Sequence, residues 1–85
     1  MPTLSSFYGI IISMWFDDHN PPHIHAEYGE YEAQFDLDGN IIKGEFPPKK
    51  TKMVEVWIDI HAEELNANWT LAKSNRNTFP IAPLK

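Results

Sequence analysis

The sequence contains no cysteine. This absence excludes disulfide bonds, zinc sites with thiolate ligands and cysteine nucleophiles. Long apolar runs are also lacking, because the run Ile10-Ile11-Ile12 is far too short to span a bilayer. No basic segment precedes that run, so the sequence predicts neither a secretory signal nor a membrane anchor. We therefore expect a cytoplasmic protein.

Basic side chains are scarce in the first half of the chain. Residues 1–46 hold eight acidic side chains and one basic one, Lys43, which gives a net charge of −7. Residues 47–85 hold six basic and four acidic side chains, a net charge of +2, so the whole chain carries −5. This distribution lacks the broad basic surface typical of nucleic-acid-binding proteins. The length of 85 residues predicts a single domain, 1–85, with one small core.

Alternating apolar and polar residues predict β-strands over residues 1–46. Residues 7–16 are apolar on both sides of the alternation, which is typical of a strand covered on both faces. Turn sequences at residues 28–31 and 37–40, each with a glycine, predict two hairpins. The registers of the two hairpins agree with each other, since both place apolar side chains, including Ile42, on one face and polar side chains on the other.

The second half predicts one long helix, from about residue 51 to residue 75, with Thr51 as its N-cap. Its first turns are apolar nearly all round and should cover the apolar face of the sheet. Its far end, around Trp69, should extend beyond the short strands and meet a partner or a second copy in a homodimer. Residues 76–85 read as an extended tail. The predicted fold class is α+β: a small antiparallel sheet of about four strands packed against one long helix.

Three histidines lie within seven residues, His19, His23 and His25. On a strand, His23, His25 and Glu27 point to the same face, because side chains alternate with a period of two. A His-x-His pair can chelate one metal ion, and zinc or iron would take a third ligand from His19, Glu27 or Asp36. The sequence therefore predicts a candidate metal site.

The same histidines allow two other interpretations. His23 or His25, oriented by Asp36, could act as a general base near neutral pH, as in a nuclease whose nucleophile is the RNA 2′-hydroxyl. Alternatively, the histidines brace the loop before the strand through hydrogen bonds to Asp17, Asp18 and Asp36. The sequence leaves these alternatives open.

The positions of two sets of charged side chains, one of glutamates and one of lysines, predict binding surfaces. The hairpin registers make Glu27, Glu32 and Glu45 lateral neighbours, and like charges placed opposite each other are destabilising. Either solvent screens them or a basic partner relieves the repulsion. Lys49 and Lys50 lie near the predicted helix start, where the helix dipole disfavours positive charge, so they are either solvated or part of an anion site.

The sequence resembles a bacterial family known as domain of unknown function 4160. The resemblance rests on these segments: Met1-Pro2-Thr3, Phe7-Tyr8-Gly9-Ile10, Asp18-His19-Asn20-Pro21-Pro22-His23-Ile24-His25-Ala26, Tyr28-Gly29-Glu30-Tyr31-Glu32-Ala33, Asp38-Gly39, Gly44, Val54 to Trp57, Asn68-Trp69 and Pro83-Leu84. It implies a gene that often neighbours a second small gene, in pairs proposed to be toxin–antitoxin modules. The expected partner is thus a small cognate protein. A nuclease toxin and a transcriptional regulator that contacts nucleic acid are the alternatives.

Overall fold

The computed structural model describes residues 3–15 and 19–85. In this part of the chain five strands precede two helices: β1 (Thr3–Phe7), β2 (Ile10–Ser13), β3 (His23–Tyr28), β4 (Tyr31–Asp36), β5 (Ile41–Gly44), α1 (Pro48–Ile60) and α2 (Ala62–Lys73). Each strand pairs antiparallel with the next, in the order β1-β2-β3-β4-β5. The predicted α+β class is confirmed. None of the described helices is long and apolar enough to cross a membrane.

The single strand predicted over residues 7–16 is instead interrupted by a turn, because Phe7 ends β1 and Ile10 begins β2, and the two strands form a hairpin. The chain reverses at Tyr8 and Gly9, whose φ angles are 48° and 82°. Glycine accepts a positive φ without strain, and a Cβ on Gly9 would lie only 3.1 Å from the ring of Tyr28. The turn separates β1 from β2 and accounts for the strand that sequence reasoning missed. Phe16, at the predicted strand end, lies outside the described residues.

The two predicted hairpins are confirmed. In the first, Tyr28 pairs with Tyr31 and His25 with Gln34. The second hairpin contains a register shift between Gln34 and the next residue. This irregularity changes which side chains of β5 lie on the apolar face of the sheet. Every residue of β5 is exposed, and Ile42 retains 42% of its accessible surface. The expectation that Ile42 faces the core is therefore wrong, because β5 is an edge strand whose register differs from that of a regular ladder.

The predicted long helix is two helices. The chain breaks at His61, with φ −110° and ψ 25°, between α1 and α2. The helical region begins before residue 51, with Pro47 at the N-cap and Pro48 as the first helical residue, and proline suits that first position because its missing N–H would lack a helical partner. The hydroxyl of Thr51 instead donates a hydrogen bond to the carbonyl of Phe46 at 3.4 Å. Beyond α2, Asn75 adopts a φ of 60°, a conformation common where helices end.

The core lies between the sheet and the two helices. Its buried apolar side chains are Leu4, Phe7, Ile10, Ile12, Met14, Ile24, Ala26, Ala33, Phe35, Phe46, Val54, Trp57, Ile58, Leu65, Trp69, Ala72 and Ile81. The segment after α2 runs back over this core, where the Ile81 N–H donates to the carbonyl of Leu4 at 2.8 Å. The indole of Trp57 donates to the carbonyl of Ala82 at 2.9 Å. The final segment thus joins β1 to the helices.

Candidate functional site

The polar surface of the sheet carries the residues on which most of the functional predictions rest. We define the open face as His25, Glu27, Glu32, Gln34 and Lys43, contributed by the three strands β3, β4 and β5. Cross-strand pairing sets them side by side: His25 faces Gln34, Glu27 faces Glu32 and Gln34 faces Lys43. A groove of 260 Å³ runs over this face, lined by Trp15, His25, Ala26, Glu27, Glu32, Ala33, Gln34, Lys43 and Gly44.

Trp15 forms one wall of the groove. It follows β2 and keeps 45% of its surface exposed, which is unusual for so large an apolar side chain. Its indole stacks on the imidazole of His25, with ring centroids 4.3 Å apart and planes inclined by 8°. The stack covers one side of the indole and holds the ring at the groove.

Two further ring contacts connect His25 to the buried part of the protein. The rings of His25 and His23 lie 5.2 Å apart, and those of His23 and Trp69 lie 5.3 Å apart. His23 is only 5% exposed, and its Nδ1 lies 2.7 Å from the carbonyl oxygen of Pro21. Because a carbonyl oxygen can only accept, Nδ1 carries the proton in this hydrogen bond. His23 is therefore a packed residue at the sheet end, whereas His25 is half-buried beside the groove.

The burial of Trp69 corrects a prediction. Sequence reasoning placed Trp69 on an exposed helix end that would meet a partner, but the side chain is 6% exposed and packs against His23. The physical reason is the break at His61, which lets α2 lie over the core instead of continuing away from the sheet. Trp69 is a core residue.

Asp36 has a local role that the sequence did not reveal. It pairs with His23 across the strands, yet its carboxylate accepts hydrogen bonds from the backbone N–H groups of Asp38 at 3.0 Å and Asn40 at 2.9 Å. Desolvation alone would raise the pKa of Asp36, but these bonds, with one from the Asn40 side chain, outweigh it and lower the pKa. The carboxylate thus braces the β4–β5 turn, and its role as an orienting group for a catalytic histidine stays a prediction.

The predicted metal site is not assembled in the described part of the chain. Within residues 3–15 and 19–85, no group of three or more histidine or acidic side chains is arranged to hold a metal ion. His19 is exposed in the loop before Pro21 and Pro22, whereas His23 is buried. The described residues thus do not gather His19, His23 and His25 with a further ligand into one group, and a zinc or iron site at these histidines stays a prediction. Asp17 and Asp18, expected to brace the histidines, lie outside the described residues.

The structure pairs two members of the predicted acidic row, Glu27 and Glu32, and gives a backbone contact for the third, Glu45. Glu27 and Glu32 face each other directly across β3 and β4, and the backbone N–H of Glu45 donates to the carbonyl of Glu32 at 3.1 Å. Among the residues that the structure describes, no basic side chain forms an ion pair with these glutamates. Lys43, the basic residue of the open face, lies opposite Gln34. Glu27 and Glu32 are thus like charges placed directly opposite each other, an arrangement that is destabilising.

The predicted anion site is altered by a tertiary contact. The ammonium of Lys50 donates to the carbonyl of Tyr8 at 3.2 Å and lies 4.8 Å from the centroid of the Tyr28 ring. Lys50 thus fastens the start of α1 to the β1–β2 turn, and its charge is directed to the protein instead of an anion. Lys49 is exposed to solvent. Anion binding by Lys49 and Lys50 stays a prediction.

Sequence reasoning did not select Trp15 or Gln34 as site residues. Ile11, Ser13 and Trp15 lie two apart, so strand alternation could have placed Trp15 on the side of His25. The pairing of Ser13 with His25 could not be predicted from the sequence, because it depends on the conformation of the loop that connects β2 to β3.

Comparison with known families agrees with the resemblance seen in the sequence. The family described as Domain of unknown function (DUF4160) matches residues 9–70. The chain belongs to this family. The DUF4160 segment contains every residue that lines the groove, together with α1 and most of α2. Neither the comparison with curated proteins nor that with solved structures found a match.

Proposed function

We propose that this DUF4160 protein is a bacterial cytoplasmic component of a two-gene module of the toxin–antitoxin type, and that it acts through protein–protein contact. The contact surface is the open face of the sheet together with Trp15. One observation carries the proposal: Glu27 and Glu32 face each other without an ion-pair partner among the described residues, beside a half-exposed tryptophan.

The physical argument combines charge with an apolar anchor. Protein interfaces draw much of their binding energy from a few aromatic residues, and tryptophan is prominent among them. An acidic surface accelerates and orients the approach of a basic partner. Residues 1–46 carry a net charge of −7, so the field around the open face favours such a partner. Binding would also relieve the repulsion between Glu27 and Glu32.

The two alternatives have weaker support. For a nuclease toxin, the buried His23 has its Nδ1 engaged by Pro21, and Asp36 has its carboxylate engaged by a turn. For a DNA-binding regulator, the paired glutamates of the open face would repel phosphate groups. Protein–protein contact is thus the function that the described geometry favours.

The test is co-expression with the product of the neighbouring gene. We expect the two proteins to elute as one complex, and we expect expression of one partner alone to arrest growth that the pair restores. Replacing both groove carboxylates, Glu27→Gln with Glu32→Gln, should weaken the complex by about tenfold or more, as expected for the loss of interfacial charge pairs. A matched control, Glu30→Gln with Glu63→Gln, changes the charge equally at exposed positions outside the groove and should have little effect.

Two results would contradict the proposal. One is the absence of any complex between the two gene products when both are folded. The other is a complex whose affinity is the same for the groove variant and for the control variant.

A further inference from the structure

We infer that the groove binds one arginine side chain of the partner protein. The guanidinium would stack on the exposed surface of the Trp15 indole, and it would bond to the carboxylates of Glu27 and Glu32. This inference rests on the proposed function and specifies the chemistry of the same surface.

The indole is positioned as a cation-binding platform. His25 lies parallel to it at 4.3 Å, so one side of the indole is covered and its orientation is set. The ring nevertheless keeps 45% of its surface exposed beside the groove. Tryptophan is the aromatic side chain that attracts cations most strongly, and arginine is the cation that most often stacks on such rings.

The two carboxylates supply the hydrogen-bond acceptors. Cross-strand partners such as Glu27 and Glu32 have Cβ atoms about 4.5–5.5 Å apart, so their carboxylates can reach the same ligand. A guanidinium is planar, carries five N–H donors and binds carboxylates through paired hydrogen bonds. A lysine ammonium carries three donors and a tightly held hydration shell, and therefore suits a groove lined by a flat ring and two carboxylates less well.

The size of the groove favours a single side chain over a cofactor. Pockets that enclose drug-sized ligands usually measure about 300–1,000 Å³. This groove measures 260 Å³ and is open along the sheet surface. A side chain from a docked protein can enter such a groove while the rest of the partner covers its rim.

Lys43 gives the inference a distinctive prediction. Lys43 is the one lysine or arginine among the groove-lining residues that the structure describes, and it forms no ion pair with the glutamates. An incoming guanidinium would experience its repulsion. Removing this charge with Lys43→Gln should therefore strengthen arginine binding, whereas most substitutions in a binding site weaken it.

The experiment is an NMR titration of the intact ¹⁵N-labelled protein with the peptide acetyl-Gly-Arg-Gly-amide. Two matched peptides carry citrulline, which is uncharged and nearly isosteric, or lysine in place of arginine. With the arginine peptide we expect a saturable shift of the Trp15 indole N–H signal. We expect no such shift with citrulline and at least about threefold weaker binding with lysine.

Four variants make the test specific. Trp15→Leu, and separately Glu27→Gln with Glu32→Gln, should weaken arginine-peptide binding by about fivefold or more, within the range expected for losing a cation–π contact or a charged hydrogen bond. Lys43→Gln should strengthen binding two- to threefold, a rough value for removing one screened like charge. Glu30→Gln, outside the groove, should leave binding unchanged. Unaltered chemical shifts away from the groove verify that each variant is folded.

The outcomes separate this inference from the proposed function. Equal binding of arginine, lysine and citrulline peptides, or arginine binding that survives the groove variants, overturns the inference. A complex with the neighbouring gene product that depends on Glu27 and Glu32, without arginine-peptide binding, overturns the arginine assignment and leaves the proposed function standing. Arginine-peptide binding that follows the predicted order, without such a complex, supports the groove assignment and overturns the proposed module.

Discussion

Asn68 should be one of the residues on which the stability of the fold depends most. Its side chain on α2 is fully buried and holds the backbone of Phe79 through two hydrogen bonds. Its Nδ2 donates to the Phe79 carbonyl at 3.1 Å, and its Oδ1 accepts from the Phe79 N–H at 2.8 Å. The Asn68 amide thus bonds to both the N–H and the carbonyl of Phe79, as a residue of a neighbouring β-strand would. The perturbation that tests this role is Asn68→Ala.

The expected loss can be worked from these contacts. Two hydrogen bonds contribute about 1–3 kcal/mol together, and the space left by the amide adds roughly 1 kcal/mol. Two effects offset part of this loss. Phe79 is 37% exposed, so water can reach some of the released backbone groups, and alanine gains up to about 0.7 kcal/mol of helix propensity. We therefore expect Asn68→Ala to reduce the free energy of unfolding by about 2–3 kcal/mol.

The assay is urea and thermal unfolding followed by far-UV circular dichroism. The matched control is Asn66→Ala on the same helix, which removes an exposed hydrogen bond to the Ala62 carbonyl and brings the same gain in propensity. For a domain of this size, 2–3 kcal/mol corresponds to a difference in Tm of about 10–20 °C between the two variants. Hydrogen exchange at the Ile81 N–H should also accelerate in Asn68→Ala alone, because that group bonds to Leu4 in the segment that Asn68 holds.

Comparing Asn68→Ala with Asn66→Ala can contradict the stabilising role of Asn68. If the two alanine variants unfold within about 0.5 kcal/mol of each other, the usual scatter for substitutions away from special features, Asn68 does not hold the final segment. Equal exchange at Ile81 in both variants would lead to the same conclusion.

Three further predictions follow from single contacts. Gly44→Ala should lower the free energy of unfolding by several kcal/mol in chemical denaturation, because the added Cβ would collide with the backbone oxygen of Glu32. Gly29 also has a positive φ but open space around it, so the control Gly29→Ala should lower the free energy of unfolding by only about 1–2 kcal/mol. Equal losses in the two variants would contradict this explanation. Lys50→Met should lower Tm more than Lys49→Met, since only Lys50 bonds to the β1–β2 turn, and identical Tm values would exclude that role. Asp36→Ala should destabilise the protein at neutral pH, with the difference from the wild type shrinking as the pH falls below the ordinary pKa of 3.8. The sign follows from the lowered pKa: the carboxylate stabilises the fold above that value and loses this effect as it becomes protonated, so a difference that stayed constant to pH 2 would refute it.

Several features of the fold and the site were accessible from sequence because they depend on neighbouring residues. The glycines in the turns at 28–31 and 37–40 favour tight reversals, and strand alternation then places Glu27 opposite Glu32. These preferences act within a few residues, so the pairing of Glu27 with Glu32 and the α+β class could be predicted without knowing how distant parts of the chain meet.

Tertiary contacts decided the remaining features. The break at His61, the burial of Trp69 against His23, and the contact of Lys50 with Tyr8 each join residues whose proximity depends on the packing of helices on the sheet. Helical periodicity alone cannot show where a helix bends over a core, and composition cannot show whether a lysine faces solvent or a carbonyl group. Sequence thus determined the local turns, pairings and charges of this protein. Packing decided which histidine is buried, which tryptophan remains exposed, and where the groove forms, because each of these depends on contacts between residues far apart in the chain.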